Sequence, residues 1–235
     1  MNIIAHRGRV GIAPENCIHN LFSLPQRVMG VEVDVRITSD GVPILIHDKT
    51  VDRTTNGSGE VSSLSLREIK SLSIGANKTV PTLQAYLESC LLNGVRLILL
   101  DIKISDEKDL KAIANIAKES SIAEKIIFMV REEESAEILR KSSKNARIGF
   151  FGVNKGNVTI LLEASKSYGI ELLLSVHGDV AFRANRETIA LIKQAGFKAG
   201  ASAIKEDESY IVAIKDGCYL ILTDRSDLFE NVKVP

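Results

Sequence analysis

Short apolar runs alternate with stretches of helical spacing along most of the chain. Runs rich in β-branched residues or leucine occur at Val95 to Ile104, Lys125 to Val130, Ala146 to Phe151, Ile170 to Val176, Phe197 to Ala203 and Cys218 to Thr223, each close to a usual strand length. Between them, residues such as Leu110, Ile113, Ile116 and Ala117 share one helical face and leave Lys111, Lys118 and Glu119 toward water. Two earlier strands, Asn2 to His6 and Val31 to Ile37, with a helix from about Asn16 to Val28 between them, bring the count of strands to eight. Eight strands alternating with helices predict a closed parallel α/β barrel, the (βα)8 or TIM barrel. The 235 residues then make one domain, 1–235. Residues 38–80 break the rhythm, because the Ser39-Asp40-Gly41 turn, the short apolar Pro43 to Ile46 and Asn56-Gly57-Ser58-Gly59 fit no βα unit. This stretch reads as an insertion after the second strand that lies over the active-site mouth. It holds an extended segment ending at His47 and a helix opened by the capping box Ser65-x-x-Glu68.

Side chains two apart on a strand share a face, and a parallel strand covered on both sides should be apolar on both. The second strand departs from this: Val31, Val33 and Val35 take the helix side, which turns Glu32 and Asp34 into the barrel. Like charges in an interior repel and lose hydration unless something compensates them, and a divalent cation is the simplest compensation. The run at Val95 to Ile104 repeats the pattern, with Ile98, Leu100 and Ile102 on one face and Leu97, Leu99, Asp101 and Lys103 on the other. Its polar pair falls at the C-terminal end, where barrel active sites are built. Glu32, Asp34 and Asp101 can thus converge on one hard cation, and an all-oxygen set favours Mg²⁺ or Ca²⁺ over zinc. The same acids also fit a structural network with Arg7, Lys103 or Arg36.

His6 at the end of the first strand and His47 at the end of the extended segment can overhang one mouth, and imidazole titrates where general acid and base catalysis needs it. His19 reads as a surface residue, while His177, beyond the sixth strand, reaches the same rim. Arg7 and Lys103 can set cations where a phosphoryl oxygen would sit. The Gly57-Ser58-Gly59 stretch reads as a tight turn, since no strand and helix frame it as a phosphate cradle. Ala199-Gly200-Ala201-Ser202 offers only a weak version of the barrel phosphate site.

Composition narrows the partners. Lys plus Arg and Asp plus Glu number 30 each, for a formal net charge of zero, and no basic run is present, which argues against nucleic acid and acidic membranes. No stretch approaches the roughly 20 apolar residues that span a bilayer, and the start, Met1-Asn2-Ile3-Ile4, lacks a long secretory apolar segment, so a cytoplasmic protein without stable membrane insertion is expected. Cys17, Cys90 and Cys218 are odd in number and widely spaced, as reduced thiols would be. The balanced surface is compatible with a homodimer.

Taken in order, His6-Arg7-Gly8, Ala13-Pro14-Glu15-Asn16, Glu32-Val33-Asp34-Val35, Thr38-x-Asp40-Gly41, His47-Asp48, Arg53-Thr54-Thr55-x-Gly57-x-Gly59, Pro81-Thr82-Leu83 and Asp101-Ile102-Lys103 resemble the glycerophosphodiester phosphodiesterase family. The rest of the chain resembles it through the βα rhythm and Leu222-Thr223-Asp224-Arg225. The resemblance implies metal-dependent hydrolysis of small-molecule glycerophosphodiesters to an alcohol and glycerol 3-phosphate. By motif position it implies His6 and His47 as the acid and base pair, Glu32, Asp34 and Asp101 as metal ligands, and Arg7 and Lys103 as phosphate contacts. Three positions depart from the family's pattern: Asp101 stands where Glu is usual, Ser202-Ala203-Ile204-Lys205 replaces a Trp-Thr-x-Asn motif in a chain without tryptophan, and Cys17 replaces Thr. Two other readings remain open, a phospholipase acting on lyso-phospholipids and a non-catalytic phosphodiester-binding barrel.

Overall fold

A computed structural model describes residues 1–8, 14–75, 77–176, 186–204 and 207–224. Its strands are β1 (Asn2–Ala5), β2 (Val28–Ile37), β3 (Pro43–Leu45), β4 (Leu97–Ile102), β5 (Ile126–Val130), β6 (Arg147–Phe151), β7 (Leu172–Val176), β8 (Lys198–Ile204) and β9 (Leu220–Thr223). Its α-helices are α1 (Leu66–Ser71), α2 (Leu83–Leu92), α3 (Glu107–Glu119), α4 (Glu133–Ser142), α5 (Val158–Tyr168), α6 (Arg186–Gln194) and α7 (Asp207–Lys215). All strands but β3 pair in parallel in the order β1-β2-β4-β5-β6-β7-β8-β9, and β9 returns to β1 through Ile3 opposite Ile221 and Ala5 opposite Thr223. The expected closed eight-stranded barrel is therefore present.

Two apolar layers hold it. Val31, Val33 and Val35 pack outward among Tyr86, Leu87 and Leu110 of the helices. Ile4, Leu97, Leu99, Ile127, Met129, Leu172, Leu174, Leu220 and Leu222 fill the barrel interior below the acids. On α3, Leu110, Ile113 and Ala117 are buried while Lys111, Lys118 and Glu119 are exposed, as the spacing predicts.

The segment after β2 has its own small core of Ile44, Ile46, Val51, Val61, Ile69, Ile74 and Val80, joined by Cys17. Its β3 adds antiparallel to the end of β2, Val35 opposite Leu45 and Ile37 opposite Pro43, and so carries the chain back along β2 to His47. The Ser65 and Glu68 capping box forms, with Ser65 N–H donating to Glu68 Oε2 at 2.8 Å. Gly57 N–H donates to Thr55 Oγ1 at 3.0 Å in a turn, not a phosphate cradle.

The helix expected from Asn16 to Val28 is shorter and of a different kind: a 3₁₀ turn over Ile18–Ser23. Asn16 takes a left-handed φ of 54°, Pro25 supplies no N–H to continue a helix, and pairing with Ile3 draws Val28 into the sheet. All three cysteines are free and buried. Among the described residues no helix is long and apolar enough to cross a membrane.

Candidate active site

The period of β2 and β4 assembles the centre. Glu32 and Asp34 share the inner face of β2, and the parallel register sets Asp34 opposite Asp101. All three are 1% exposed, and one oxygen from each lies within 4.8 Å of the others. Asp34 receives Asn16 Nδ2 at 2.9 Å and Lys103 Nζ at 3.0 Å, and its own N–H donates to Asn16 Oδ1 at 3.1 Å. Asp101 receives Lys103 Nζ on Oδ2 at 2.5 Å. Glu32 accepts the Arg7 N–H on Oε2 at 2.9 Å, but its Oε1 is buried with no hydrogen-bond partner.

That orphaned oxygen tests the fit of a cation. Burial, followed by the charge of Asp34, pushes the Glu32 carboxyl up to about 8. Burial also acts against the Asp34 charge, yet Lys103, the Asn16 hydrogen bond, His47 and Arg7 together hold its pKa below the ordinary value. An open carboxylate oxygen aimed into an all-oxygen cluster matches a hard divalent ion. The Lys103 bridge equally realises, at Asp34 and Asp101 but not at Glu32, the salt-bridge network the sequence allowed.

Both mouth histidines are oriented by carboxylates. His6 Nδ1 is 2.7 Å from Asp224 Oδ1, and His6 Nε2 lies 3.9 Å from Glu32 Oε2. Burial opposes the His6 imidazolium, but the Asp224 hydrogen bond and the charges of Glu32 and Asp224 outweigh it and raise the pKa. His47 Nδ1 is 2.7 Å from Asp48 Oδ1, and its carbonyl accepts Arg36 Nε at 2.9 Å. Hydrogen bonding to Arg53 holds Asp48 well below the usual carboxylate range. A carboxylate only accepts, so each Nδ1 carries the proton toward its Asp and each Nε2 is left for the centre.

Arg7 adopts φ 53° in the tight turn after β1, which directs its N–H at Glu32. Its guanidinium reaches Glu15 at 3.0 Å, Arg53 reaches the same carboxylate at 2.7 Å, and Arg7 Nε lies 3.6 Å from Asp34 without hydrogen-bonding it. Gly8 closes the turn at φ +63°, where a Cβ would stand 2.9 Å from Tyr86 Oη.

The structure thus brings His6, Arg7, Glu32, Asp34, His47, Asp101 and Lys103 to one end of the barrel. His19 is exposed, against Phe22. His177, Ala13, Lys205 and Arg225 lie outside the described residues. Sequence reasoning gave no role to Asp224, Asp48, Arg53, Glu15, Asn16 or Arg131. Arg131 is paired with Asp101 and stacked 4.9 Å from the Phe151 ring centroid, which puts an aromatic at the mouth of a chain that lacks the tryptophan. The quoted Pro14-Glu15-Asn16, His47-Asp48, Arg53 and Leu222-Thr223-Asp224 stretches held a signal, but Arg131 had none.

A parallel eight-stranded barrel with buried carboxylates and two imidazoles at its C-terminal mouth defines a TIM-barrel protein with an acidic centre. The glycerophosphoryl diester phosphodiesterase family model matches residues 6–225, and the chain belongs to that family. It is 29% identical over 194 residues to glycerophosphodiester phosphodiesterase 1 of Rattus norvegicus, covering 74% of this chain and 58% of that protein. It is 35% identical over 164 residues to a glycerophosphodiester phosphodiesterase of Caldanaerobacter subterraneus, covering 63% of this chain and 65% of the relative. The chain therefore spans less than two thirds of these curated relatives. A phosphodiesterase of Oleispira antarctica, solved with the product sn-glycerol-3-phosphate, superposes with a TM-score of 0.84 at 23% identity over 98% of this chain and 95% of that one. A glycerophosphodiester phosphodiesterase of Agrobacterium tumefaciens gives 0.80 at 25% identity over 99% and 100%.

Proposed function

We propose that the chain acts as a single (βα)8 domain, with residues 38–80 over its mouth, and hydrolyses glycerophosphodiesters to an alcohol and glycerol 3-phosphate. The observation that carries this reading is the buried acidic triad beside two imidazoles whose Nδ1 atoms are each tied to a carboxylate. Family membership and the product-bound Oleispira relative agree with it.

Glu32, Asp34 and Asp101 would hold one divalent cation, Mg²⁺ or Ca²⁺, with the open Glu32 Oε1 as its natural entry. Such an ion supplies Lewis-acid stabilisation of charge on the phosphoryl oxygens. Arg7 and Lys103 bind the same oxygens as the diester settles, adding fixed positive charge where the transition state gains negative charge. One imidazole, through Nε2, takes a proton from the attacking water as its oxygen bonds to phosphorus, and the other, as imidazolium, gives its Nε2 proton to the alkoxide that leaves. Asp224 and Asp48 each engage Nδ1, so that both rings take up or release their proton at Nε2. His6, with its raised pKa, suits the donor role.

The test is turnover of glycerophosphocholine and glycerophosphoethanolamine, read as released glycerol 3-phosphate, after chelation and after return of Mg²⁺, Ca²⁺ or Mn²⁺. Product that vanishes on chelation and returns with metal is the expected result. Turnover of lyso-phospholipids alone, or binding without turnover, would move the activity to the corresponding other reading.

A further inference from the structure

The three acids of the triad are unequally open. Glu32 has an oxygen with no partner, whereas Asp101 has none to spare. Arg131 Nη1 donates to Asp101 Oδ1 at 2.6 Å, Nη2 donates to Oδ2 at 2.9 Å, and Lys103 Nζ meets the same Oδ2 at 2.5 Å. A two-pronged guanidinium is the geometry that best saturates a carboxylate. Asp101 in this form is the counter-ion of two cations, and a divalent ion entering beside it meets both of them.

One of the two must give way, and the structure distinguishes them. Lys103 is 12% exposed, bridges Asp34 and Asp101, and its backbone N–H is fixed to the Val35 carbonyl. Arg131 is 39% exposed, stands one residue beyond β5, and rests against the Phe151 ring. It borders an open cavity lined also by Lys103, Ser105, Glu132 and Ser135. Its Nη1 also donates to the Ile102 carbonyl at 3.1 Å, which leaves Nε–H and one Nη2 hydrogen without a protein partner among the described residues. A long side chain at a rim swings by rotamer changes alone, with no cost to the strand.

We propose that Arg131 is the resident counter-cation of Asp101 in the metal-free protein, and that metal entering the triad displaces it to become an anion contact for the substrate at the rim. This rests on the reading of the triad as a metal centre. It makes Arg131 a competitor of the metal before loading and a binding residue afterwards. Metal and substrate are coupled because each rewards the same movement of one guanidinium.

The test is titration calorimetry of chelator-stripped wild type and Arg131→Gln with Mg²⁺ and Ca²⁺, then of the metal-loaded forms with sn-glycerol 3-phosphate. The expected result is metal binding at least tenfold tighter in R131Q, with glycerol 3-phosphate at least tenfold weaker. Arg131→Lys, which keeps the charge and cannot fork two oxygens, serves if R131Q fails to fold. It should also bind metal more tightly while retaining part of the glycerol 3-phosphate affinity. Metal affinity unchanged or weaker in the variant overturns the competition, and unchanged glycerol 3-phosphate affinity overturns the substrate contact. Wild type that turns over glycerophosphodiesters yet takes up no metal overturns the metal-centre reading and this proposal together. A wild type that binds metal as its variant does overturns this proposal alone.

Discussion

His6 Nδ1 lies 2.7 Å from Asp224 Oδ1, which ties the end of the first strand to the end of the last across the seam that closes the barrel. Ala5 and Thr223 are register partners on β1 and β9, so His6 and Asp224 leave the same rung side by side. His47 reaches the same mouth by another route, on a segment that returns over β2 and carries its own carboxylate at the next position. Two unrelated pieces of backbone thus present imidazoles of equivalent tautomer to one acidic centre.

Asp224→Asn tests the first of these pairs. The substitution keeps the shape but removes the carboxylate that raises the His6 pKa, while burial and the Arg7 charge, which lower it, remain. The limb of the pH–rate profile that belongs to His6 should therefore move to lower pH, and kcat should fall about 10- to 100-fold. The linkage has a matching sign: because its folded pKa is raised, His6 contributes stability below its ordinary value that is lost as pH rises through the raised one. Asp224→Asn should flatten that part of the stability curve, and an unmoved pH profile would separate Asp224 from His6 chemistry.

Glu32 makes metal binding depend on protons. Its carboxyl, pushed up to about 8 by burial and Asp34, is largely protonated at neutral pH in the metal-free chain. Metal uptake at pH 7 should release close to one proton, visible as a buffer-dependent enthalpy in calorimetry, and affinity should rise with pH until about 8. The metal-free protein should lose stability as pH climbs from the ordinary carboxyl value toward that raised one, because ionising Glu32 is harder folded than unfolded. Glu32→Gln should remove the proton release, the metal-induced rise in Tm and the pH slope together. Unchanged metal binding in E32Q would take Glu32 out of the ligand set.

The parity of two strands made much of this centre legible. Glu32 and Asp34 among three valines, and Asp101 after two leucines, can only face inward once the barrel is granted, and they do. Asp224 stood in the quoted Leu222-Thr223-Asp224-Arg225 without a partner to assign, and Arg131 stood in no motif, because both partners are set by closure and strand neighbourhood. Asp224 meets a residue 218 positions away, and Arg131 one 30 positions away, each just past a strand end. The helix placed at Asn16 to Val28 misled for a local reason: the stretch holds a Pro and a left-handed Asn, and its last residue is claimed by β1. Phe151, which no motif marked, sets an aromatic ring against Arg131 and Lys103.

His47→Ala separates chemistry from architecture. The side chain is 35% exposed and pairs with Asp48, which Arg53 holds independently. The variant should lose about 100-fold or more in kcat while Tm changes little, since a half-exposed rim residue contributes little packing. A large loss of thermal stability would assign His47 to holding residues 38–80 in place.

Gly30 sets how closely the two acid-bearing strands approach. It stands on β2 two residues before Glu32, opposite Leu97 of β4, and an added Cβ would fall 1.8 Å from the Leu97 carbonyl oxygen and 2.6 Å from its carbon. Those atoms are backbone, so no side-chain rotation relieves the contact, and the strands must separate. Separation at this rung lengthens the gap between the Glu32 and Asp34 side and the Asp101 side, across which Lys103 bridges 3.0 and 2.5 Å contacts. Gly30→Ala should therefore cost about 3 kcal/mol or more, with the urea midpoint falling at constant slope. Where the variant remains folded, its metal affinity should fall as well, because the ligands would be spread without being removed. A Gly30→Ala protein as stable as wild type would mean that β2 and β4 can part without cost, and that the geometry of the triad is not set at this rung.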